Sequence, residues 1–371
     1  MALRGLFRVI KGGFKTTFDF EKSMSMVKAI TGATGQDFEA LRQSAIDLGG
    51  STAFTASEVS SLQKEYAKLG FTNKEILKVT QGTLDLAAAT GEDLATSAAV
   101  AGATLRGFGL DAGQMQRVVD VMAKSFTSSA LDLSKFQTAM QNVAPVANAT
   151  GDSIEEATAK LAVLADAGLD ASTSGTSLRN IYLELEKRGM SWDEAMTQIR
   201  DSQNKASTSL QLFGKRGAVA GLILADNTAK AREMTGAFQD AEGAAQEMAD
   251  INLENVAGQI TKLKSAWEGL ILRTNESTGA LKGFLEGLTD IVASINSDGK
   301  PALDSLFETE KINGFMDRFK AFSDLGNGFF KSFAAARQSS DKEVEAIIDK
   351  GREAYDEMQV LEQMRLEDEQ A

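Results

Sequence analysis

Residues 89–126 read ATGEDLATSAAVAGATLRGFGLDAGQMQRVVDVMAKSF. Leu94, Ala98, Ala101, Leu105 and Phe108 recur at three- and four-residue intervals, and Met115, Val118, Val119, Met122 and Phe126 keep a similar rhythm. That spacing gathers apolar side chains on one face of a helix. Between the two stripes stands Gly109-Leu110-Asp111. A glycine can take the left-handed conformation that ends a helix, the apolar residue after it folds back over the last turn, and an aspartate can cap the next helix. The passage therefore predicts two helices of three or four turns joined within about two to four residues, which makes antiparallel or steeply crossed neighbours.

The same grammar extends in both directions. Stripes of comparable length run through Phe38, Leu41, Ala45 and Leu48, then Val59, Leu62, Tyr66 and Leu69. Further on come Leu133, Phe136, Met140 and Val143, then Ile154, Ala157, Leu161 and Leu164. Helix starts carry a Ser or Thr with a carboxylate three residues later, the capping-box pattern. Thr55 with Glu58, Thr72 with Glu75, Ser153 with Glu156 and Ser191 with Glu194 fit it, and Thr34 with Asp37 and Thr90 with Asp93 are shorter-armed versions. Stops are written as Gly70-Phe71, Gly109-Leu110 and Gly168-Leu169, with Thr72, Asp111 and Asp170 each placed to cap the next helix. Ala-Thr-Gly recurs at Ala33, Ala89 and Ala149; it is either a weak internal repeat or a triplet suited to helix junctions.

Composition agrees with an all-α fold. Only Pro145 and Pro301 interrupt 371 residues, and 43% of the chain is hydrophobic, enough for a core. The expected organisation is a basic amphipathic arm over residues 1–29 and a helical core over 30–190, built as stacked short hairpins in a compact α-domain or a short solenoid. A helical extension occupies 191–295, and an acidic helical region 296–371.

Cysteine and histidine are both absent. Disulfides, thiol chemistry, cysteine zinc sites and the commonest general base are thereby excluded. Glu155-Glu156 reads as a pair on a solvated helix face rather than an acid and a base across a cleft. Gly102 to Gly109 lacks the terminal Gly-Lys-Ser/Thr of a phosphate loop. No catalytic, cofactor-binding or metal-binding residue stands out, and the chain is expected not to be an enzyme.

The formal charge of −13 is uneven. Residues 1–30 carry six basic and two acidic side chains, and residues 341–371 carry four basic and eleven acidic. No basic stripe with interleaved aromatics offsets the acidic balance, so stable nucleic-acid binding is not expected. The first residues spread Arg4, Arg8 and Lys11 through apolar ones, which breaks any signal-like segment, and no run reaches the roughly 18 apolar residues of a membrane span. The expected place of synthesis and residence is the cytoplasm.

Several stretches together resemble a known family. Phe20-Glu21 through Gly35, LGGSTAFTASEV from Leu48 to Val59 and AKLGF from Ala67 to Phe71 are similar to the conserved core of phage tail tape-measure proteins. AGLDAS from Ala167 to Ser172, GTSLR from Gly175 to Arg179, and LFGKR from Leu212 to Arg216 with a short apolar helix after it continue the match. The resemblance covers roughly residues 18 to 295, with Gly168 to Arg179 its most specific part. It implies a structural protein of the virion that lies in the tail-tube lumen, sets tail length and is ejected ahead of the DNA. It also implies contacts with the major tail tube protein, tail assembly chaperones and baseplate or tail-tip proteins; self-association is expected separately, from the amphipathic segment of residues 341–371. A straight helix of the whole chain would reach roughly 550 Å at about 1.5 Å per residue, and the short helices of residues 30–190 argue for a folded-back isolated state.

Three segments keep two readings each. Leu3, Phe7, Ile10, Phe14 and Phe18 with neighbouring cations make a partner-binding or membrane-surface arm, or an ordinary first helix. Ile260 to Ile271 and Leu281 to Ile295, separated by a polar turn at Arg273 to Gly279, make a core hairpin or one that contacts a membrane transiently during genome delivery. Val344, Ile347, Ile348, Tyr355, Met358, Leu361 and Met364 make an amphipathic pairing helix or a solvated tail. Outside a virion, the same features would suit a membrane-active or partner-binding helical protein.

Overall fold

A computed structural model describes residues 2–278 of the chain. Among the described residues there are fourteen α-helices and no strand. In order they are α1 (Ala2–Thr31), α2 (Gly35–Ser51), α3 (Ala56–Lys68), α4 (Asn73–Thr90), α5 (Leu94–Gly107), α6 (Met115–Ser128) and α7 (Leu133–Ala149). Next come α8 (Ile154–Asp166), α9 (Ala171–Arg188), α10 (Trp192–Arg200), α11 (Lys205–Asp226), α12 (Thr228–Gln239), α13 (Ala244–Leu253) and α14 (Val256–Thr278). A 3-10 turn, Ala112–Gln114, leads into α6. The all-α expectation holds. No described helix is long and apolar enough to cross a membrane.

Local chemistry explains most boundaries. Three capping boxes form as read: Thr72 with Glu75, Ser153 with Glu156 and Ser191 with Glu194 exchange side-chain and backbone bonds at the starts of α4, α8 and α10. Asp111 and Asp170 cap the 3-10 turn and α9. The expected stops also form. Gly109 N–H donates to the Arg106 carbonyl at 3.0 Å and Leu110 N–H to that of Leu105 at 2.9 Å, the paired bonds of a left-handed glycine cap. The Gly70-Phe71 and Gly168-Leu169 ends repeat this pairing. Phe71 then packs edge-on against Tyr66 at 5.0 Å.

The structure corrects two expectations from the sequence. Thr90 does not start α5: its hydroxyl bonds back to the Leu86 carbonyl at 2.8 Å inside α4, and Asp93 itself caps α5 by accepting from Ala95 and Thr96 N–H. Arg273 to Thr278, expected in a polar turn, continue α14, because nothing in that polar stretch forbids helix. Residues 281–295, 296–340 and 341–371 lie outside the described residues. The three Ala-Thr-Gly triplets all fall where one helix gives way to the next, which favours the junction reading over a structural repeat.

The chain clusters into two units. One comprises the described parts of Met1–Ser25, Ala45–Ser57 and Val256–Ala371. Here Gly50 and Gly269 pack backbone to backbone, since a Cβ on Gly269 would fall 2.8 Å from the Gly50 Cα. Glu268 accepts from Ser57 N–H at 3.0 Å and Ser57 Oγ at 2.9 Å, and Arg273 pairs with Asp47 at 2.9 Å.

The other unit comprises Met26–Ser44 and Glu58–Asn255. Two helices form its interior: α4 buries ten residues and α8 buries ten of its thirteen. Both are rich in alanine, and α4 in threonine too, small enough for neighbours to approach from several sides. Helix α4 packs against α5, α6 and α13, and α8 against α6, α7, α9, α11 and α12. The late helices α12 and α13 thus return to cover early ones, and Asn252 donates to the Ala89 carbonyl. A solenoid repeat touches only its neighbours, and the packing of α13 on α4 and of α12 on α8 departs from that pattern in this unit. Fully buried Tyr66, Phe136, Phe213 and Phe238 each contribute about 1.5–3 kcal/mol of burial.

Candidate functional site

Two of the segments that carry the family resemblance, Gly168 to Arg179 and Leu212 to Arg216, meet at α9. Asp170 opens this helix by accepting from Thr173 N–H at 2.9 Å. One turn later Gly175 lies against α7 so closely that a Cβ there would sit 2.5 Å from the Ala139 carbonyl oxygen and 2.8 Å from its Cα. Next along the helix, Ser177 Oγ donates to the Arg216 carbonyl at 2.8 Å and Asn180 Nδ2 to the Phe213 carbonyl at 2.7 Å.

The Phe213 carbonyl needs such a partner because α11 is broken just after it. Gly214 has φ 63° and ψ −176°, a conformation confined essentially to glycine. The residues on either side fold back on each other. Lys205 pairs with Asp226 at 2.6 Å, and Ser209 Oγ donates to the Ala218 carbonyl at 2.7 Å. A Cβ on Gly221 would fall 2.5 Å from the Phe213 ring. These pairs are nearly symmetric about Gly214 and Lys215, so α11 is a helical hairpin with two short arms. The apolar run from Ala218 to Ala225 is its second arm, with Ala220, Leu224 and Ala225 buried.

A buried polar cluster fastens α8, α9 and α10. The Lys160 ammonium pairs with Asp152 and lies 4.1 Å from the centre of the Trp192 ring and 5.3 Å from that of Tyr182. Tyr182 OH donates to Asp152 at 2.5 Å, and burial together with that carboxylate pushes its phenol well above the ordinary range. The ammonium thus exchanges water for a carboxylate and two ring faces.

Glu155 departs from its expected setting as well. It is not on a solvated face: it is 2% exposed and takes a two-pronged bond from Arg117 at 2.6 and 2.8 Å. Burial raises its pKa, but the guanidinium outweighs that and holds it below the usual carboxylate range. Its neighbour Glu156 serves the cap of α8. A Cβ on Gly102, from the rejected phosphate-loop stretch, would lie 3.3 Å from the Tyr66 ring, so its smallness serves helix packing.

A third polar feature holds α13. Asp120 on α6 accepts from Gly243 N–H at 3.1 Å and Ala245 N–H at 3.0 Å, at the start of that helix. Beside it Asp85 on α4 is buried, bonded by Gln81 at 2.7 Å, and pushed up to about 6 by burial and by the charges of Asp120 and Asp250. Sequence spacing did not single out Lys160, Asp85 or Asp120, whose partners sit on other helices. Among the described residues no group of His, Cys, Asp and Glu side chains could hold a metal ion.

A family model described as phage-related minor tail protein matches residues 42–268. The chain belongs to this family. The tape measure protein of Pneumococcus phage Dp-1 is 34% identical over 282 residues, which cover 68% of this chain and 24% of that protein. The probable tape measure protein of Escherichia phage P2 is 26% identical over 313 residues, 75% of this chain and 38% of that protein. The chain therefore spans well under half the length of these curated relatives. Both matches agree with the resemblance read from Phe20 to Arg216. No solved structure matches the chain significantly.

Proposed function

We propose that this chain acts as a phage tail tape measure, or as the core piece of one. Its work is structural: it lies in the tail tube, sets tail length and leaves ahead of the DNA. The observation that carries the reading is the match to two tape-measure relatives over more than two thirds of this chain. The partners it implies are the major tail tube protein, tail assembly chaperones and baseplate or tail-tip proteins, with further copies of the chain. The setting is the host cytoplasm during assembly and the virion afterwards. The side chains around α9 support a non-catalytic role, since Lys160, Glu155 and Asp152 are each occupied by protein partners.

Length is the property to test. A helix advances about 1.5 Å per residue, so deleting 28 residues within 296–340 should shorten tails by about 42 Å if that segment lies extended as helix in the tube. The same deletion within residues 30–190 should abolish assembly, because it cuts through interlocked helices. Electron micrographs of both sets of tails decide the matter, and full-length tails from the first deletion would refute the ruler.

A further inference from the structure

We infer that α11 is a jackknife joint, closed in the free protein and opened into one continuous helix when the chain is drawn out in the tail. The inference rests on the tape-measure reading. A ruler converts residue number into distance only where the chain does not double back. As folded, the arms on either side of Gly214 run in opposite directions and add almost nothing to the end-to-end span. Straightened, residues 205–226 would span about 33 Å.

The joint is built to move. Gly214 adopts its glycine-only conformation in the hairpin, yet glycine also populates the helical region freely, so this one residue can absorb the change without a steric barrier. The clasp at the open end, Lys205 with Asp226, has both side chains about two fifths exposed, and exposed pairs hold weakly. Between the arms the fit relies on Gly217 and Gly221, where a Cβ would fall 2.6 and 2.5 Å from Phe213. The bonds that fix the fold of the tip come from outside, from Ser177 and Asn180 on α9. Drawing α9 away releases the Phe213 carbonyl, and a continuous helix supplies its replacement partner in the Gly217 N–H four residues on. Opening is therefore the consequence of separating α11 from α9.

The test uses spin labels on the full chain, which contains no native cysteine. Ser207→Cys and Asn227→Cys place one label on each arm and leave the Lys205–Asp226 clasp intact. In the free protein the labels should lie within about 10–15 Å, as packed helices do. In assembled tails the distance should lengthen to about 30 Å, the span of twenty helical residues. Joining the two cysteines with a short reducible cross-linker should block formation of full-length tails, and reduction should restore it. An unchanged label distance in assembled tails, a long distance in the free protein, or normal tails built from the cross-linked chain would each overturn the joint. The deletion within 296–340 stands apart from these outcomes: if it shortens tails while the labels stay close, the ruler survives and the joint does not.

Discussion

Replacing Gly175 by alanine adds one methyl group at the closest approach of α7 and α9. The added carbon would meet the Ala139 carbonyl oxygen at 2.5 Å, its Cα at 2.8 Å and its carbonyl carbon at 3.0 Å. All three are backbone atoms, so no rotamer change relieves the overlap and the helices must separate by most of an ångström. Overpacking of this kind costs about 1–3 kcal/mol, and an unyielding backbone places this site near the upper end. Alanine is a better helix former than glycine by about 1 kcal/mol, which offsets part of it. The net loss should be about 2 kcal/mol. For a domain of roughly 150–250 residues, that lowers the melting temperature by about 4–8 °C. Gly236→Ala is the internal control. It lies inside α12, with nothing within 4 Å of the added carbon, and should gain stability by up to about 1 kcal/mol. Thermal melts monitored by circular dichroism at 222 nm compare the three chains. A Gly175→Ala protein as stable as the Gly236→Ala protein would refute the tight crossing.

Further expectations concern the polar groups. Asp85 has a folded pKa raised to about 6, above the ordinary carboxylate value, so the folded state holds the proton more tightly than the unfolded chain. Its contribution to stability is therefore present at low pH and is lost as pH rises from about 4 through 6. Asp85→Asn should remove that fall, and parallel pH profiles of melting temperature for the two proteins would disprove it. Asp152→Ala leaves the Lys160 ammonium buried between Tyr182 and Trp192 without its carboxylate, and should cost about 3–5 kcal/mol in urea unfolding. Adding Lys160→Met should recover much of the loss; no recovery would mean that Asp152 acts elsewhere. At the start of α5, Asp93→Ala should cost about 1 kcal/mol and Thr90→Ala about half a kcal/mol or less. The reverse order would reinstate Thr90 as the cap.

The features legible in the sequence are those encoded within four or five residues. The boxes at Thr72, Ser153 and Ser191 and the stops at Gly70, Gly109 and Gly168 each depend on atoms from neighbouring turns, so a short stretch of sequence contains both partners. Asp93 shows the limit even there, since two candidate caps three residues apart satisfy one pattern and geometry selects the second. The polar groups around α8 and α9 were illegible for a different reason. Glu155 looks solvated until Arg117 is placed beside it, and LFGKR with its short apolar helix does not disclose that Asp226 will return to Lys205.

Several of the distant partners nevertheless share a spacing. In the larger unit Arg106 reaches the Leu69 carbonyl across 37 residues, Arg117 reaches Glu155 across 38, and Ala130 N–H reaches Asp166 across 36. Ser177 reaches the Arg216 carbonyl across 39, and Arg232 reaches Asp193 across 39. A separation in the upper thirties is two short helices with their loops, so these bonds join an element to the next but one. The packing of α4 on α6, α5 on α7, α6 on α8 and α7 on α9 has the same alternation. At these places a bond two helices away adds to the local caps in fixing the path of the chain. A deletion of 28 residues inside this pattern corresponds to neither one helix with its loop nor two. It would turn the surviving helices off the faces that Arg117, Ser177 and Asn180 need, so loss of assembly, rather than a shorter tail, is the physical consequence expected there.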